Sequence, residues 1–251
     1  RDRSPSRGLG DVYKRQGTAV PEIGEVTDYI RVLDRSGYFE TVTLSEDDLK
    51  RNDMYRANAQ RAKAQSRFAD YHDYLLSLEM TAEIGDFSPL YLQRITQLTN
   101  KSNQFNLTTK RYTAEQMEAV YNSDEYIRLY GKLYDKFGDN GVVAVTIGKT
   151  DSEDNGRLDI ELWLMSCRVL KRDMELAMLD SLVEQAKKRG IREIYGHYYP
   201  SAKNKMVAGL YESFGFEKIS QDEEGNTSWR LLVEGYEDKN TVIKVKEEHY
   251  A

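Results

Sequence analysis

The spacing of apolar residues changes several times along the chain, between strict alternation and the three-and-four spacing of a helix face. Alternation indicates half-buried strands, because successive side chains of a strand point to opposite faces. Gly138–Gly141 is expected to form the turn of a hairpin. Thr241–Lys246 also alternates and is either an edge strand or a loose tail. The other predicted strands are Met80–Phe87, Tyr126–Phe137, Val142–Ile147, Leu158–Cys167, Ile191–Tyr198 and Trp229–Val233.

Helical spacing and helix-capping residues place helices around these strands. A first helix is expected from Val26 to Ser36. Ser45 and Asp48 form a capping-box pattern ahead of a long charged helix, expected from Glu46 to Leu78. Later helices are predicted at Ser88–Leu98, from Thr113 onward, from about Arg172 to Gly190, and at Lys203–Phe214. The third of these presents one apolar face, formed by Met174, Ala177, Met178, Ser181, Leu182 and Ala186.

The order of elements from Met80, β-α-α-β-β-β-α-β-α-β, predicts an α/β fold. We expect a mixed β-sheet flanked by helices and preceded by a helical linker. Residues 1–17 are rich in Arg, Ser, Gly and Asp without an apolar period, and we expect them to be unrelated to the rest or disordered. Residues 18–79 are predicted to form the linker, 80–234 the α/β domain, and 235–251 a C-terminal tail.

Composition and charge narrow the function. The net charge of -6 argues against nucleic acid or an anionic membrane as partner. No apolar run approaches the roughly 18 residues of a membrane span, and no signal peptide is visible. The single cysteine, Cys167, excludes an internal disulfide, and the three histidines lack metal-ligand spacing. We therefore expect a cytoplasmic protein without a metal site or a nucleotide-binding glycine loop.

The predicted strand Leu158–Cys167 runs into a basic turn with Arg168, Lys171 and Arg172, and a helix follows. Such a strand–turn–helix directs backbone N–H groups and the positive end of a helix at an anion such as a diphosphate. A second helix, about forty residues later, ends in Tyr211–Phe216. This order resembles the cofactor-binding half of the GNAT acyltransferase superfamily.

Two segments carry a more specific resemblance. The two segments that closely resemble FkbH-like proteins are Leu98–Tyr112 and Leu164–Leu170. Two shorter segments share the resemblance, namely Tyr38–Thr41 and Met54–Gln60. That family joins a HAD-type phosphatase-like domain to a GNAT-like domain. Its members load a glyceryl unit from 1,3-bisphosphoglycerate, a phosphorylated three-carbon acid, onto an acyl carrier protein in polyketide-type biosynthesis.

The resemblance implies that residues 20–233 match the linker and the GNAT-like part. No aspartate pair of a HAD domain precedes them, so we expect no phosphatase activity from this chain. The expected function is acyl transfer to a carrier protein. The alternative is a catalytically silent GNAT-like module that docks the carrier.

The chain departs from the GNAT turn pattern Arg-x-x-Gly-x-Gly. Lys171 and Asp173 stand where the family has glycines. A side chain there crowds a bound phosphate, and a carboxylate repels it. No cofactor is therefore firmly expected. Coenzyme A, or the phosphopantetheine arm of a carrier protein, is a possible ligand of Arg168, Lys171 and Arg172, and we expect that glycine at positions 171 and 173 would tighten coenzyme A binding.

Three residues are catalytic candidates, each with a plainer alternative. Cys167 beside Arg168 could hold an acyl group as a thioester, or it could be a small buried apolar residue. Tyr211 matches the proton donor of GNAT enzymes, or it is a half-buried helix aromatic. Glu161 shares a predicted strand face with Trp163 and could act as a general base, or it could face solvent.

A polar cluster after the helix predicted at Ser88–Leu98 completes the candidates. Its amides and hydroxyls suit a small polyhydroxy acid, although such a loop can also bond its own backbone. Asn204 matches a GNAT residue near the cofactor arm, and helix N-capping is its alternative. The resemblance favours substrate binding for the cluster, which consists of Asn103, Gln104, Asn106, Thr108 and Thr109.

Overall fold

A computed structural model describes residues 25–35, 51–151, 153–154 and 156–247. The predicted capping box at Ser45 and residues 1–17 lie outside these ranges. The chain divides into two compact units, Arg1–Asn52 and Asp53–Ala251. In the first unit, a turn of 3-10 helix at Val26–Asp28 leads into α1 (Tyr29–Arg35).

The long predicted linker helix is two helices. α2 (Arg51–Gln65) ends before a bend, and α3 (Tyr71–Ser77) follows. The Asp70 side chain accepts a hydrogen bond from the Asp73 N–H and thereby starts a new helix at Tyr71. The other helices are α4 (Pro89–Lys101), α5 (Ala114–Tyr121), α6 (Met174–Lys188) and α7 (Leu210–Ser213).

One mixed sheet organises the second unit and confirms the predicted fold class. Its strands are β1 (Thr81–Gly85), β2 (Phe105–Asn106), β3 (Tyr126–Asp135), β4 (Gly138–Thr150), β5 (Arg157–Met165), β6 (Glu193–Tyr198), β7 (Glu217–Gln221), β8 (Thr227–Leu232) and β9 (Lys244–Glu247). Their order in the sheet is β7-β8-β6-β5-β4-β3-β1-β9, and the short β2 pairs with β5. The β1–β9 and β5–β6 pairs are parallel and the others antiparallel.

The helices cover the sheet from both sides. On one face the buried stripe of α6 packs with α3 and with aromatic residues around α7. On the other face, residues of α4 and α5 pack against β3, β4 and β5. The predicted apolar face of α6 is confirmed for all its members except Ser181, which is half-buried. Among the described residues, no helix is long and apolar enough to cross a membrane.

Several predicted boundaries are wrong for local reasons. The β3–β4 hairpin turns at residues 136–137, because Asp135 pairs with Gly138 and the predicted turn residues belong to β4. The helix predicted at Lys203–Phe214 splits into a 3-10 turn and the four-residue α7. The alternating stretch near the C-terminus is an edge strand, β9. β7 was not predicted, because it is exposed on both faces and its sequence does not alternate between apolar and polar residues.

Candidate active site

The turn after β5 holds most of the predicted chemistry. β5 ends at Met165, and a single turn of 3-10 helix covers Cys167–Val169. The Ser166 side chain accepts a hydrogen bond from the Arg168 backbone N–H at 3.4 Å and closes this turn. Cys167 is exposed, which excludes the alternative of a buried apolar cysteine.

The same turn keeps a backbone that glycine favours, although neither residue is glycine. Lys171 and Asp173 have φ angles of 62° and 58°, in the left-handed region. Asp173 is the N-cap of α6, and the helix begins at Met174, two residues later than expected. The backbone of the turn therefore has the left-handed conformation that glycine adopts readily, as expected for the pattern Arg-x-x-Gly-x-Gly, but side chains project from it at positions 171 and 173.

A carboxylate already occupies the N-terminal end of α6. Burial raises the pKa of Glu175 to about 7, against a smaller opposing effect of its own backbone N–H. Its Oε2 atom is buried and has no hydrogen-bond partner among the described residues. Burial also raises the pKa of Asp173. These two acids oppose a diphosphate at this helix end.

A segment of the chain hydrogen-bonds to the edge of β5 that faces away from β4. We call Phe105–Thr108 the wedge segment. Its first two residues pair with the end of β5 in antiparallel register. The Leu107 N–H donates to the Trp163 carbonyl at 3.1 Å, and the Thr108 hydroxyl donates to the Glu161 carbonyl at 2.8 Å. This edge has no backbone free for an incoming ligand along that stretch.

The wedge segment also bonds to the end of β6. β5 and β6 pair only through residues 157–159 and 193–195 and then diverge. Across the gap, Tyr199 N–H donates to the Leu107 carbonyl, and the Asn204 side-chain amide donates to the Asn106 carbonyl, both at 2.9 Å. Asn204 is fully buried and makes no helix-cap bond with its side chain, so the N-capping alternative is wrong. In this structure Asn204 anchors the wedge segment.

The predicted substrate cluster divides into buried and open members. Asn106 and Thr108 are buried within the wedge segment. The Asn103 side chain accepts a hydrogen bond from Arg111 at 2.5 Å and is half-buried. Gln104 and Thr109 are exposed. Because Phe105 pairs with Met165 in antiparallel register, Gln104 extends toward the turn that carries Cys167.

Tyr211 lies in the core rather than in an open cleft. It is 1% exposed, and its hydroxyl has no hydrogen-bond partner among the described residues. Burial raises the pKa of this phenol above its ordinary value. Its ring packs directly on Gly196, where an added Cβ would clash with the ring carbons, and edge-on against Trp163. To donate a proton, the Tyr211 hydroxyl would have to be accessible to a substrate, and this packing does not allow that access.

Glu161 faces a different cavity from the one its spacing suggested. A register shift opposite Gly148 places Glu161 in a bulge, so it does not share a face with Trp163. Its carboxylate accepts from Lys110 at 2.5 Å and from the Tyr112 hydroxyl at 3.1 Å. Burial, followed by the charge of Glu161, raises the pKa of Tyr112. These groups line a cavity of about 410 Å³ beside α5.

The three basic residues of the turn share a larger cavity of about 580 Å³ with Arg61 of α2. Arg172 is buried and donates to Asp135, at the end of β3, at 3.0 Å. Arg168 and Lys171 line the same space. Within the described residues, no group of three or more His, Cys, Asp or Glu side chains is placed to hold a metal.

The predicted site residues thus have three separate surroundings. The basic turn lines one cavity, Glu161 lines another with no residue in common, and Tyr211 is in the core. Arg61 and Asp135 could not be predicted as partners, because they lie 74 positions apart and belong to no motif. Lys110 and Tyr112 were not predicted as partners of Glu161, although both lie in a segment that carries the family resemblance.

Known proteins resemble this chain in structure, but none was found to match it in sequence. The sequence matches no protein-family model and no curated protein. The ribosomal-protein-S18-alanine N-acetyltransferase from Escherichia coli aligns over 64% of this chain and 99% of its own, at 14% identity and a TM-score of 0.46.

A GNAT-family acetyltransferase from Streptococcus pneumoniae aligns over 60% of this chain and 99% of its own, at 18% identity and a TM-score of 0.47. An acetyltransferase from Thermus thermophilus aligns over 61% of this chain and 97% of its own, at 12% identity and a TM-score of 0.48. At these values the likeness carries no argument about the activity, substrate or cofactor of this chain.

Proposed function

We propose that residues 80–234 transfer a small acyl unit to the thiol of an acyl carrier protein in the cytoplasm, with Cys167 as the intermediate acceptor. In the FkbH-like proteins that the chain resembles, this unit is glyceryl. One observation carries the proposal: Cys167 is exposed in a turn with Arg168, while the edge of β5 beside it is closed by the wedge segment. Acyl transfer through Cys167 does not require coenzyme A to bind between β5 and β6, where the wedge segment lies.

The chemistry is two successive thiol acylations. The Cys167 thiolate attacks the carbonyl carbon of an acyl phosphate, the new C–S bond forms, and phosphate leaves with the electrons of the broken C–O bond. The carrier thiolate then attacks the thioester, and the Cys167 thiolate leaves. The second step exchanges one thioester for another, so it needs no further source of energy.

The remaining candidates have supporting roles in this proposal. Gln104 is exposed and directly precedes the Phe105–Met165 pair, on the side of the turn, and its amide suits the hydroxyls of a small acyl unit. Glu161 and Tyr112 form a hydrogen-bonded pair in a separate cavity and are assigned no step. Tyr211 stays a predicted proton donor, one that needs the wedge segment to move before it can act.

The test uses the purified chain, a glyceryl thioester of N-acetylcysteamine and a carrier protein bearing its phosphopantetheine arm. Intact-mass spectrometry should detect a glyceryl adduct on the chain and, after carrier is added, on the carrier. Cys167→Ser should lose the chain adduct, whereas Ser166→Ala should keep it. Carrier loading by the Cys167→Ser variant at the native rate would overturn the proposal.

A second candidate function is a docking module without chemistry. The filled gap between β5 and β6, with Tyr211 closed off beneath it, favours this alternative. It predicts that the carrier binds the chain with measurable affinity while no acyl adduct forms on Cys167. Native-state alkylation of Cys167 does not separate the two functions, because an exposed thiol reacts in both.

A further inference from the structure

Three polar side chains form a row across neighbouring strands of the sheet. Asp159 belongs to β5, His197 to β6 and Ser228 to β8. The Nε2 atom of His197 lies 3.1 Å from Oδ1 of Asp159, and its Nδ1 atom lies 3.2 Å from Oγ of Ser228. Because His197 and Ser228 are direct partners in the antiparallel β6–β8 pair, the register of the sheet sets their contact.

The row lies on a part of the sheet that the helices leave open. On this face, the cluster formed by α4 and α5 includes described residues of β3, β4 and β5 but none of β6, β7 or β8. Along β6 the buried side chains alternate with half-buried ones, and His197 belongs to the half-buried set. The side chains of His197 and Asp159 are 22% and 25% exposed. A small molecule can therefore reach the row without any movement of the wedge segment.

Asp159 determines where the imidazole carries its proton. Burial opposes ionisation of this carboxyl, but hydrogen bonds from His197 and Arg157 outweigh it and lower the pKa of Asp159. An ionised carboxylate only accepts hydrogen bonds, so the neutral imidazole places its proton on Nε2. Its Nδ1 atom is then an acceptor, and the Ser228 hydroxyl donates to it. The serine oxygen thus has a base in place for its proton, which is what a nucleophilic hydroxyl requires.

Two further side chains hold the imidazole and the carboxylate in position. Arg157 donates to both oxygens of Asp159 at 2.7 Å, and its guanidinium lies 4.0 Å from the centre of the Tyr195 ring. The Tyr199 ring stacks on the imidazole of His197, with 6.3 Å between the ring centres and 24° between their planes. These contacts keep Nδ1 directed at the serine, as a general base must be.

We propose that Ser228 and His197, positioned by Asp159, form a second catalytic site that hydrolyses activated carboxylic esters through an acyl-serine. The Ser228 oxygen attacks the carbonyl carbon, and its proton passes to Nδ1 of His197. The C–O bond to the alcohol breaks, and the alcohol leaves with that proton. Water then gives a proton to the same nitrogen as its oxygen attacks the acyl-serine. The Ser228 oxygen leaves as the acyl C–O bond breaks and takes the proton back, which releases the free acid.

The position of Ser228 inside a strand restricts the substrates. β8 lies between β6 and β7, so its backbone N–H groups are engaged in the sheet rather than directed at the serine oxygen. Hydrolases usually stabilise the oxyanion with such donors, and without them the reaction depends on a good leaving group. We therefore expect esters of acidic alcohols such as p-nitrophenol to react, and simple alkyl esters to react far more slowly.

The test is made in a Cys167→Ser background, because Cys167 is exposed and would react with the same esters. p-Nitrophenyl acetate is the substrate, and a fluorophosphonate followed by peptide mapping is the covalent probe. We expect label on Ser228 and continuous release of p-nitrophenol. Ser228→Ala should abolish the label and lower the rate by about tenfold or more. Ser220→Ala removes an exposed hydroxyl from the residue of β7 that pairs with Ser228, and should change neither.

Asp159→Asn distinguishes catalysis from a structural role. Asparagine keeps the size of the side chain, but its amide can donate to Nε2, which moves the imidazole proton to Nδ1 and removes the base. The rate should fall by about tenfold or more while the thermal midpoint shows a folded protein. The rate of the Cys167→Ser protein should also fall in acid, as His197 is protonated, and this fall should be absent from the residual rate of Ser228→Ala.

Absence of label on Ser228, or an unchanged rate in Ser228→Ala, would overturn the proposal. Ser228→Ala keeps the test decisive if Asp159→Asn fails to fold, since it removes a single oxygen atom. An unchanged rate in a folded Asp159→Asn variant would also overturn it. Because Cys167 is absent throughout, the outcome is independent of acyl transfer through Cys167.

Discussion

At the scale of single residues, Lys171 shows how a side chain can occupy a position shaped for glycine. Its φ of 62° places a Cβ in the left-handed region, which costs a non-glycine residue about 1 kcal/mol. Lys171→Gly should therefore stabilise the protein by about 0.5–1 kcal/mol, measured by urea denaturation. Lys187→Gly, at an exposed position in the last turn of α6, should instead destabilise it by up to about 1 kcal/mol. Equal losses from both substitutions would contradict the strain at position 171.

Glu175 makes stability depend on pH. Its folded-state pKa of about 7 lies above the ordinary 4.5, so folding favours the protonated form. The unfolded chain loses this proton above pH 4.5 and the folded chain only above 7, and the native state is progressively destabilised across that window. Glu175→Gln should raise the free energy of unfolding at pH 8 by up to about 3 kcal/mol and change it little at about pH 4. Denaturation at both pH values measures this difference, and an equal gain at both would contradict it.

At the scale of elements, the wedge segment joins two strands that no longer pair with each other. Leu107 is fully buried between them. Leu107→Ala should lower the free energy of unfolding by about 2–4 kcal/mol, because it leaves a cavity in a packed core. Leu90→Ala, at a position 77% exposed on α4, should change it by less than about 0.5 kcal/mol. Chemical denaturation compares the two, and similar small effects would show that the wedge segment is loosely held.

The candidate site could be predicted only where its residues lie close together in the sequence. The strand, the basic turn and the helix after it were foreseen, because apolar spacing and the charges of Arg168 and Lys171 are visible in one short stretch. The bulge at Glu161 was not, since one extra residue in a strand reverses which face later side chains occupy. The Arg61–Asp135 pair was not, because its partners meet only through the tertiary fold.

At the scale of the whole molecule, the second unit has its own core and sheet. We predict that a fragment covering Asp53–Ala251 unfolds in a single transition with a midpoint within a few degrees of that of the full chain. Differential scanning calorimetry of both proteins measures this. A broad transition or a markedly lower midpoint for the fragment would show that residues 1–52 contribute to folding of the second unit.

The fold class was predictable because alternation and helical spacing persist through most of the second unit. The mixed sheet and the α6 face followed from those periods. Elements without a period were missed, as with the exposed β7 and the two-residue β2. The break between α2 and α3 was also missed, since residues 66–70 contain no Gly or Pro to mark it and Asp70 alone provides the cap of α3.

The wedge segment also sets a threshold for any ligand that would enter between β5 and β6. A segment tethered to its own site acts as a competitor with an effective local concentration on the order of millimolar or higher. A freely diffusing molecule at lower concentration must overcome that competitor through intrinsic affinity alone. An arm carried in by a docked protein is itself tethered and competes on equal terms, so the geometry selects for delivery by a partner over capture from solution.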